Sequence, residues 1–66
     1  MRTYTAEDAE SLYVSRKYRR FLEVVSDLPL LQITPQITTK VLGLTTNRNR
    51  GIREKADTTL EAIGYF

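Results

Sequence analysis

Apolar residues recur every three to four positions in three stretches of the chain, which predicts three helices. The first stretch runs from about Ala6 to Leu28, and the residue before Pro29 ends it because that position avoids the helical region. From Tyr18 onward the spacing is that of one buried helix face. Around Leu12–Val14 the spacing is less regular, which indicates a loose start or a break near Ser15. The apolar positions are Leu12, Val14, Tyr18, Phe21, Leu22, Val25 and Leu28.

The start of this first helix carries a capping signal. Thr5 can cap the helix, and Asp8 follows three residues later as the acidic partner of a capping box. Glu7 and Asp8 also suit the positive end of the helix dipole. We therefore expect the helix to begin next to Thr5.

A second, shorter helix is predicted from Thr34 to Gly43. Thr34 is a suitable N-cap, Pro35 fits the first helical position, and Gly43 is expected to supply the left-handed residue at the C-terminus. The predicted buried positions are Ile37, Val41 and Leu42. The preceding segment "LPLLQI" is an apolar connector, expected to be extended and covered.

The third helix is predicted to start between Asn47 and Asn49 and to stop at Gly64. Leu44 anchors the polar loop before it, and Gly51 falls in or near the first helical turn, where glycine is least unfavourable. The expected buried face contains Ile52, Ala56, Leu60 and Ile63. Tyr65 and Phe66 are expected to fold back. The sequence thus predicts one all-α domain, residues 1–66, with three helices.

Composition restricts the possible chemistry. The 66-residue chain contains no cysteine and no histidine. It therefore lacks disulfides, thiolate metal sites, and the commonest general base and metal ligand. We expect no enzyme activity, no metal and no cofactor. A chain this short has little core of its own, so a dimer is expected as readily as a monomer.

The sequence contains no apolar run of about 18 residues and no signal-peptide core. We expect a soluble, cytoplasmic protein without a membrane partner, associated with the nucleoid when bound to DNA.

Charge is segregated although the net charge is only +2. Acidic residues crowd Glu7, Asp8 and Glu10. Two basic clusters follow: Arg16, Lys17, Arg19 and Arg20, and then Arg48, Arg50, Arg53 and Lys55. Clustered positive charge is the main indication of a nucleic-acid partner.

The segment "ITTKVLGLTTNRNRGIREK" resembles a helix-turn-helix motif, with Ile37, Leu42, Gly43 and Leu44 around its turn. The closing Gly-Tyr-Phe step resembles the step by which the recognition helix of winged-helix domains leads to the wing. The chain ends at Phe66, so a full wing is missing. This resemblance implies that Asn47, Arg48, Asn49 and Arg50 face the bases.

A second, partial resemblance is to the DNA-binding domains of the lactose-repressor family. "REKADTTLEAIGY" resembles the third helix of those domains, and "ITPQITTKVL" resembles their recognition helix. That alternative implies that Gln36, Thr38, Thr39 and Lys40 face the bases. Both resemblances imply double-stranded DNA, but they disagree about which helix enters the groove.

The residue types suit DNA recognition, because Arg reads guanine, Asn and Gln read adenine, and clustered basic residues neutralise phosphates. We predict a small DNA-binding regulator of transcription or replication, of the kind carried by phages and plasmids. A homodimer formed through the first helix or the Tyr65–Phe66 end is expected for specificity. The candidate DNA-binding residues are Thr46, Asn47, Arg48, Asn49, Arg50, Arg53, Lys55, Lys40, Arg16, Lys17, Arg19 and Arg20.

Simpler interpretations remain open. The first basic cluster is also typical of a solvated helix face in which Arg19 pairs with Glu23, and "NRNRG" is also typical of a polar turn. The main alternative function is a small protein-interaction module that inhibits or adapts a larger partner. The near-neutral charge favours it, and an exposed strip of Leu30, Leu31, Tyr65 and Phe66 would favour it further. An RNA or ribosome binder is a third alternative, although an aromatic stacking platform is missing.

Overall fold

The computed structural model describes residues 4–66, which form four α-helices and one short 3₁₀ helix without any strand. The elements are α1 (Ala6–Val14), α2 (Tyr18–Asp27), the 3₁₀ helix (Leu30–Gln32), α3 (Pro35–Leu44) and α4 (Arg50–Ala62). The prediction of an all-α fold is confirmed, whereas the predicted number of three helices is wrong. Residues 1–3 of the predicted domain lie outside the described residues.

The additional helix arises from a break between α1 and α2, close to the predicted position at Ser15. Arg16 adopts a left-handed backbone conformation with φ 62°. The Lys17 N–H donates to the Leu12 carbonyl oxygen at 3.0 Å, which closes the end of α1. The chain then starts α2 at Tyr18.

The starts of α1 and α3 form as predicted. The Thr5 hydroxyl oxygen accepts from the Asp8 N–H at 3.3 Å, and the Asp8 carboxylate accepts from the Thr5 N–H at 3.0 Å, which completes a capping box. At α3 the Thr34 hydroxyl oxygen accepts from the Ile37 N–H at 3.2 Å, and Pro35 occupies the first helical position.

The predicted role of Gly43 is wrong. Gly43 lies inside α3, Leu44 extends the helix by one residue into the core, and positive φ among the glycines of residues 4–66 occurs at Gly64 alone. Threonine hydroxyls bind the terminal carbonyl groups instead. Thr45 donates to the Leu42 carbonyl oxygen at 2.6 Å, and Thr46 donates to the Gly43 carbonyl oxygen at 3.1 Å. A left-handed glycine is therefore not needed at this helix end.

The connector after α2 is neither extended nor covered, contrary to the prediction. It forms the 3₁₀ helix Leu30–Gln32, and Leu30 and Leu31 are 72% and 97% exposed. Leu28 is buried and Ile33 packs against the core. Because Leu28 and Ile33 cover this edge of the core, the side chains of Leu30 and Leu31 face solvent.

The C-terminal side chains also differ from the prediction. The Tyr65 N–H donates to the Leu60 carbonyl oxygen at 2.9 Å, so the backbone turns back after Gly64. The side chains of Tyr65 and Phe66 nevertheless remain exposed and contact each other edge to face. Val14, which shares the predicted apolar spacing of the first stretch, is exposed as well.

The core lies between all four helices. Of the residues assigned to it from the sequence, Phe21 and Leu60 are fully buried, while Tyr18, Ile52 and Ile63 are half-buried and pack against it. The buried apolar residues are Ala9, Phe21, Leu22, Val24, Val25, Leu28, Ile37, Val41, Leu44, Ala56 and Leu60.

Helices α2 and α4 run parallel, side by side. Near their starts Arg19 lies next to Gly51, and one turn further Glu23 pairs with Lys55 at 3.5 Å. Further still, the hydroxyls of Ser26 and Thr59 lie 3.2 Å apart. The two N-termini therefore share one end of the pair, and the two C-termini share the other. The ends are about 15 Å apart, because α2 has ten residues.

None of the helices within residues 4–66 is long and apolar enough to cross a membrane.

Candidate nucleic-acid interface

The two basic clusters, which are far apart in the sequence, meet where α2 and α4 begin. A Cβ placed on Gly51 would lie 3.2 Å from an Arg19 guanidinium nitrogen, so that guanidinium lies against the α4 backbone. Ile52 lines a shallow depression together with residues 16–20. We call this surface, residues 16–20 and 48–53, the basic end.

The turn between α3 and α4 is held by the two asparagines predicted to read bases. The Asn47 side-chain oxygen accepts from the Asn49 N–H at 2.9 Å. The Asn49 side-chain oxygen accepts from the Ile52 N–H at 3.3 Å and caps α4. Both asparagines precede α4 and do not lie within it as predicted, and their side-chain oxygens stabilise the turn.

Arg53 braces the same turn from inside α4. One guanidinium nitrogen donates to the Asn47 carbonyl oxygen at 2.8 Å and to the Arg48 carbonyl oxygen at 3.1 Å. Arg53 is half-buried as a result. It therefore positions Arg48, a role that local sequence patterns do not reveal, and its predicted role in base reading stays a prediction.

Arg48 and Arg50 remain the exposed cations of this turn. Arg48 forms no ion pair with any residue of the described chain. Arg50 pairs with Glu54 at 3.0 Å, but their side chains are 82% and 66% exposed. An exposed pair of this kind contributes little stability, so Arg50 can exchange its partner for a phosphate or a base.

In the first cluster, Arg16, Lys17 and Arg19 form no ion pair within residues 4–66. The predicted pairing of Arg19 with Glu23 is wrong, because Glu23 pairs with Arg20 at 3.3 Å and with Lys55. Arg20 also donates a hydrogen bond to the Tyr4 hydroxyl oxygen at 2.6 Å. The available cations of the cluster are therefore its first three.

The remaining candidates lie in other surroundings. Lys40 pairs with Glu10 at 3.6 Å and lies over the Tyr13 ring, and Lys55 pairs with Glu23. Thr46 uses its hydroxyl to end α3.

The alternative recognition face on α3 carries little charge. The hydroxyls of Thr38 and Thr39 donate to the carbonyl oxygens of the preceding helical turn, at 3.2 and 2.8 Å. Gln36 is exposed, and Lys40 is the one cation of the helix. This face therefore offers fewer contacts to phosphates than the basic end.

Charge changes sign along both α2 and α4. Neither helix has an acidic residue in its first turn or a basic residue in its last turn. The exposed carboxylates in the later parts of the two helices are Glu23, Asp27, Glu54, Asp57 and Glu61. This order opposes the preference of the helix dipole, which favours anions at the N-terminus. At the basic end the positive helix ends and the cationic side chains therefore add to one positive potential.

Tyr18 and Ile52 contribute an apolar part of this surface. Both were predicted as core residues, yet both are half-buried and line the depression among the cations. Periodicity identifies the face on which a side chain lies, but it does not distinguish the interior of a core from its edge.

No protein-family model, curated protein or solved structure matches this chain significantly.

Proposed function

We propose that this protein binds double-stranded DNA through the basic end and regulates transcription or replication. The observation that carries the proposal is the meeting of two basic clusters at the positive ends of two parallel helices. Cations in this position do not stabilise the helices, but they attract an anionic partner. Neutralising phosphates releases counterions and provides general affinity for DNA.

The charge along α4 indicates how a duplex is contacted. The later exposed positions of α4 include Asp57 and Glu61, which would repel phosphates on either side of a groove. Recognition helices contact base edges with their N-terminal residues. We therefore assign base contacts to Arg48 and Arg50, and phosphate contacts to the cations of the α1–α2 turn.

Fluorescence anisotropy with a labelled random duplex tests this proposal. We expect micromolar binding that weakens steeply as salt rises, because phosphate contacts dominate non-specific affinity. The double variant Arg48→Ala/Arg50→Ala should lose most of this binding. Folded protein that does not bind the duplex at low salt would refute the proposal.

A matched control removes the same charge elsewhere. In Lys40→Ala/Lys55→Ala, two lysines are lost whose charges are already paired with Glu10 and Glu23. We expect this variant to retain most of the affinity. An equal loss in both double variants would mean that net charge, and not the basic end, determines binding.

A second candidate function is association through the opposite end of the helix pair. At that end, the chain just after α2 and α4 carries four apolar side chains that are each at least half exposed: Leu30, Leu31, Tyr65 and Phe66. We call these four residues the apolar end. An aromatic side chain buries about 150–250 Å². The four residues can thus supply much of the roughly 800 Å² that each partner contributes to a standard interface. We propose a second copy of this chain as the occupant, which leaves both basic ends accessible.

Salt distinguishes this association from DNA binding. Asp27 and Glu61 are exposed near the apolar end, so two copies bring like charges together. Self-association, followed by sedimentation equilibrium, should strengthen with salt, whereas DNA binding should weaken.

Leu31→Ser should reduce this association, and Val14→Ser, at an exposed apolar position outside the apolar end, should not. A monomer at high salt and high concentration would contradict self-pairing. A larger protein would then be the remaining occupant.

A further inference from the structure

The end of α1 has the hydrogen bonds of a Schellman motif. The Lys17 N–H donates to the Leu12 carbonyl oxygen, and the Arg16 N–H donates to the Tyr13 carbonyl oxygen, both at 3.0 Å. The residue that must be left-handed in this motif is Arg16, with φ 62°.

The end of α4 has the same motif with a different residue at the left-handed position. The Tyr65 N–H donates to the Leu60 carbonyl oxygen at 2.9 Å, and the Gly64 N–H donates to the Glu61 carbonyl oxygen at 3.1 Å. Gly64 takes the left-handed conformation with φ 79°. Glycine adopts this conformation without a steric penalty, so α4 ends in the way that best suits folding.

Arginine at the same position is unfavourable for folding. A residue with a Cβ disfavours the left-handed conformation by roughly an order of magnitude in population. Within residues 4–66 the Arg16 side chain forms neither a hydrogen bond nor an ion pair that would offset this backbone cost. Its position after the end of α1 does favour a positive charge, but that charge lies outside the last helical turn, where the dipole effect has weakened.

The residues around Arg16 indicate the role of its side chain. It lines the depression of the basic end with three further cations, while the half-buried Tyr18 and Ile52 add apolar surface to the lining. The lining of this depression, as far as the described residues form it, contains no carboxylate. Cations around a small apolar surface fit the sugar-phosphate backbone of one DNA strand, in which charged phosphates alternate with apolar sugar faces.

We propose that Arg16 is retained in its left-handed conformation as a phosphate anchor, and that this depression seats the backbone of one strand. The anchor lies outside the α3–α4 pair to which base contacts are assigned. This inference rests on the proposed DNA binding. Because phosphate contacts carry no sequence information, Arg16 contributes equally to every duplex.

The variant Arg16→Gly tests both parts of the inference. Glycine relieves the backbone, so the unfolding equilibrium constant should fall about fivefold and the melting temperature should rise. Loss of one phosphate contact should reduce the affinity for a random duplex several-fold and lower the slope of log affinity against log salt by about 0.9. A variant that is more stable and yet binds more weakly is the expected result.

Arg16→Ala separates side chain from backbone. It removes the guanidinium but keeps the left-handed penalty, so it should lose the same affinity without the gain in stability. Undiminished affinity in both variants would overturn the anchor, and lower stability of Arg16→Gly would overturn the backbone argument. If the wild-type protein does not bind DNA, the proposed function itself fails, and the stability measurement still reports on the backbone.

Discussion

The starts of α1 and α4 both carry a side-chain cap but differ in the charge that follows. After Thr5, α1 continues with Glu7 and Asp8. Asp8 completes the capping box, and both carboxylates suit the positive helix end. After Asn49, α4 continues with Arg50 and has no acidic residue in its first turn. Both caps stabilise their helices, yet only α1 places acidic residues where the helix dipole favours them. This difference supports the proposal that the start of α4 contacts an anionic partner.

Charge reversal at the basic end should have the largest effect. Arg19→Glu places an acid in the first turn of α2, where Arg19 has no ion pair to lose within residues 4–66. We expect more than a tenfold loss in duplex affinity, about 1.4 kcal/mol. We also expect a gain in unfolding free energy of at most about 0.3–1 kcal/mol, because repulsion from Glu23, four residues later, offsets part of the dipole effect. Anisotropy and chemical denaturation measure the two effects. Loss of stability together with loss of binding would show that Arg19 supports the fold.

Removing the two caps should have the next largest effect and distinguishes the two helix starts. Thr5→Ala and Asn49→Ala should each lower the free energy of unfolding by about 1 kcal/mol. Asn49→Ala should also weaken DNA binding several-fold, because the turn that holds Arg48 loses its support. Thr5→Ala should bind like the wild type. Equal binding by both variants would break the distinction drawn between α1 and α4.

The smallest effect is expected from reversing charge at the start of α1. Glu7 is exposed and pairs with no residue of the described chain, so Glu7→Lys changes mainly the interaction with the helix dipole. The free energy of unfolding should fall by about 0.3–1 kcal/mol. The loss should shrink as salt is added. Thermal unfolding at low and high salt measures it, and a loss that does not respond to salt would point to packing instead.

Most of the helix boundaries could be predicted because their signals are local. Thr5, Thr34 and Gly64 each act on backbone groups within a few residues, so the sequence around them is sufficient. The left-handed residue at the α1–α2 break could not be identified, because Arg16 occupies a position where glycine is expected. The prediction at Gly43 failed for the opposite reason, because a glycine stands there without ending the helix. Burial of Leu44 extends α3 by one residue.

The candidate site was predictable in its residue types but not in its arrangement. The basic clusters are visible in the sequence, but they meet only because α2 and α4 pack side by side, which brings Arg19 next to Gly51. The roles of Asn49 and Arg53 in the α3–α4 turn likewise follow from the path of the chain around them. Residue types that read bases are also types that cap helices and brace turns, and only the three-dimensional structure separates these uses.

The parallel pairing of α2 and α4 has a consequence for the order of folding. Its contacts are remote in sequence, with Ser26 and Thr59 separated by 33 residues. The pairing forms only when the chain closes that loop, which contains α3. A partly folded chain can form individual helices early, but it holds the two basic clusters apart. The basic end is therefore assembled only on completion of the fold, so partly folded chains lack the combined surface.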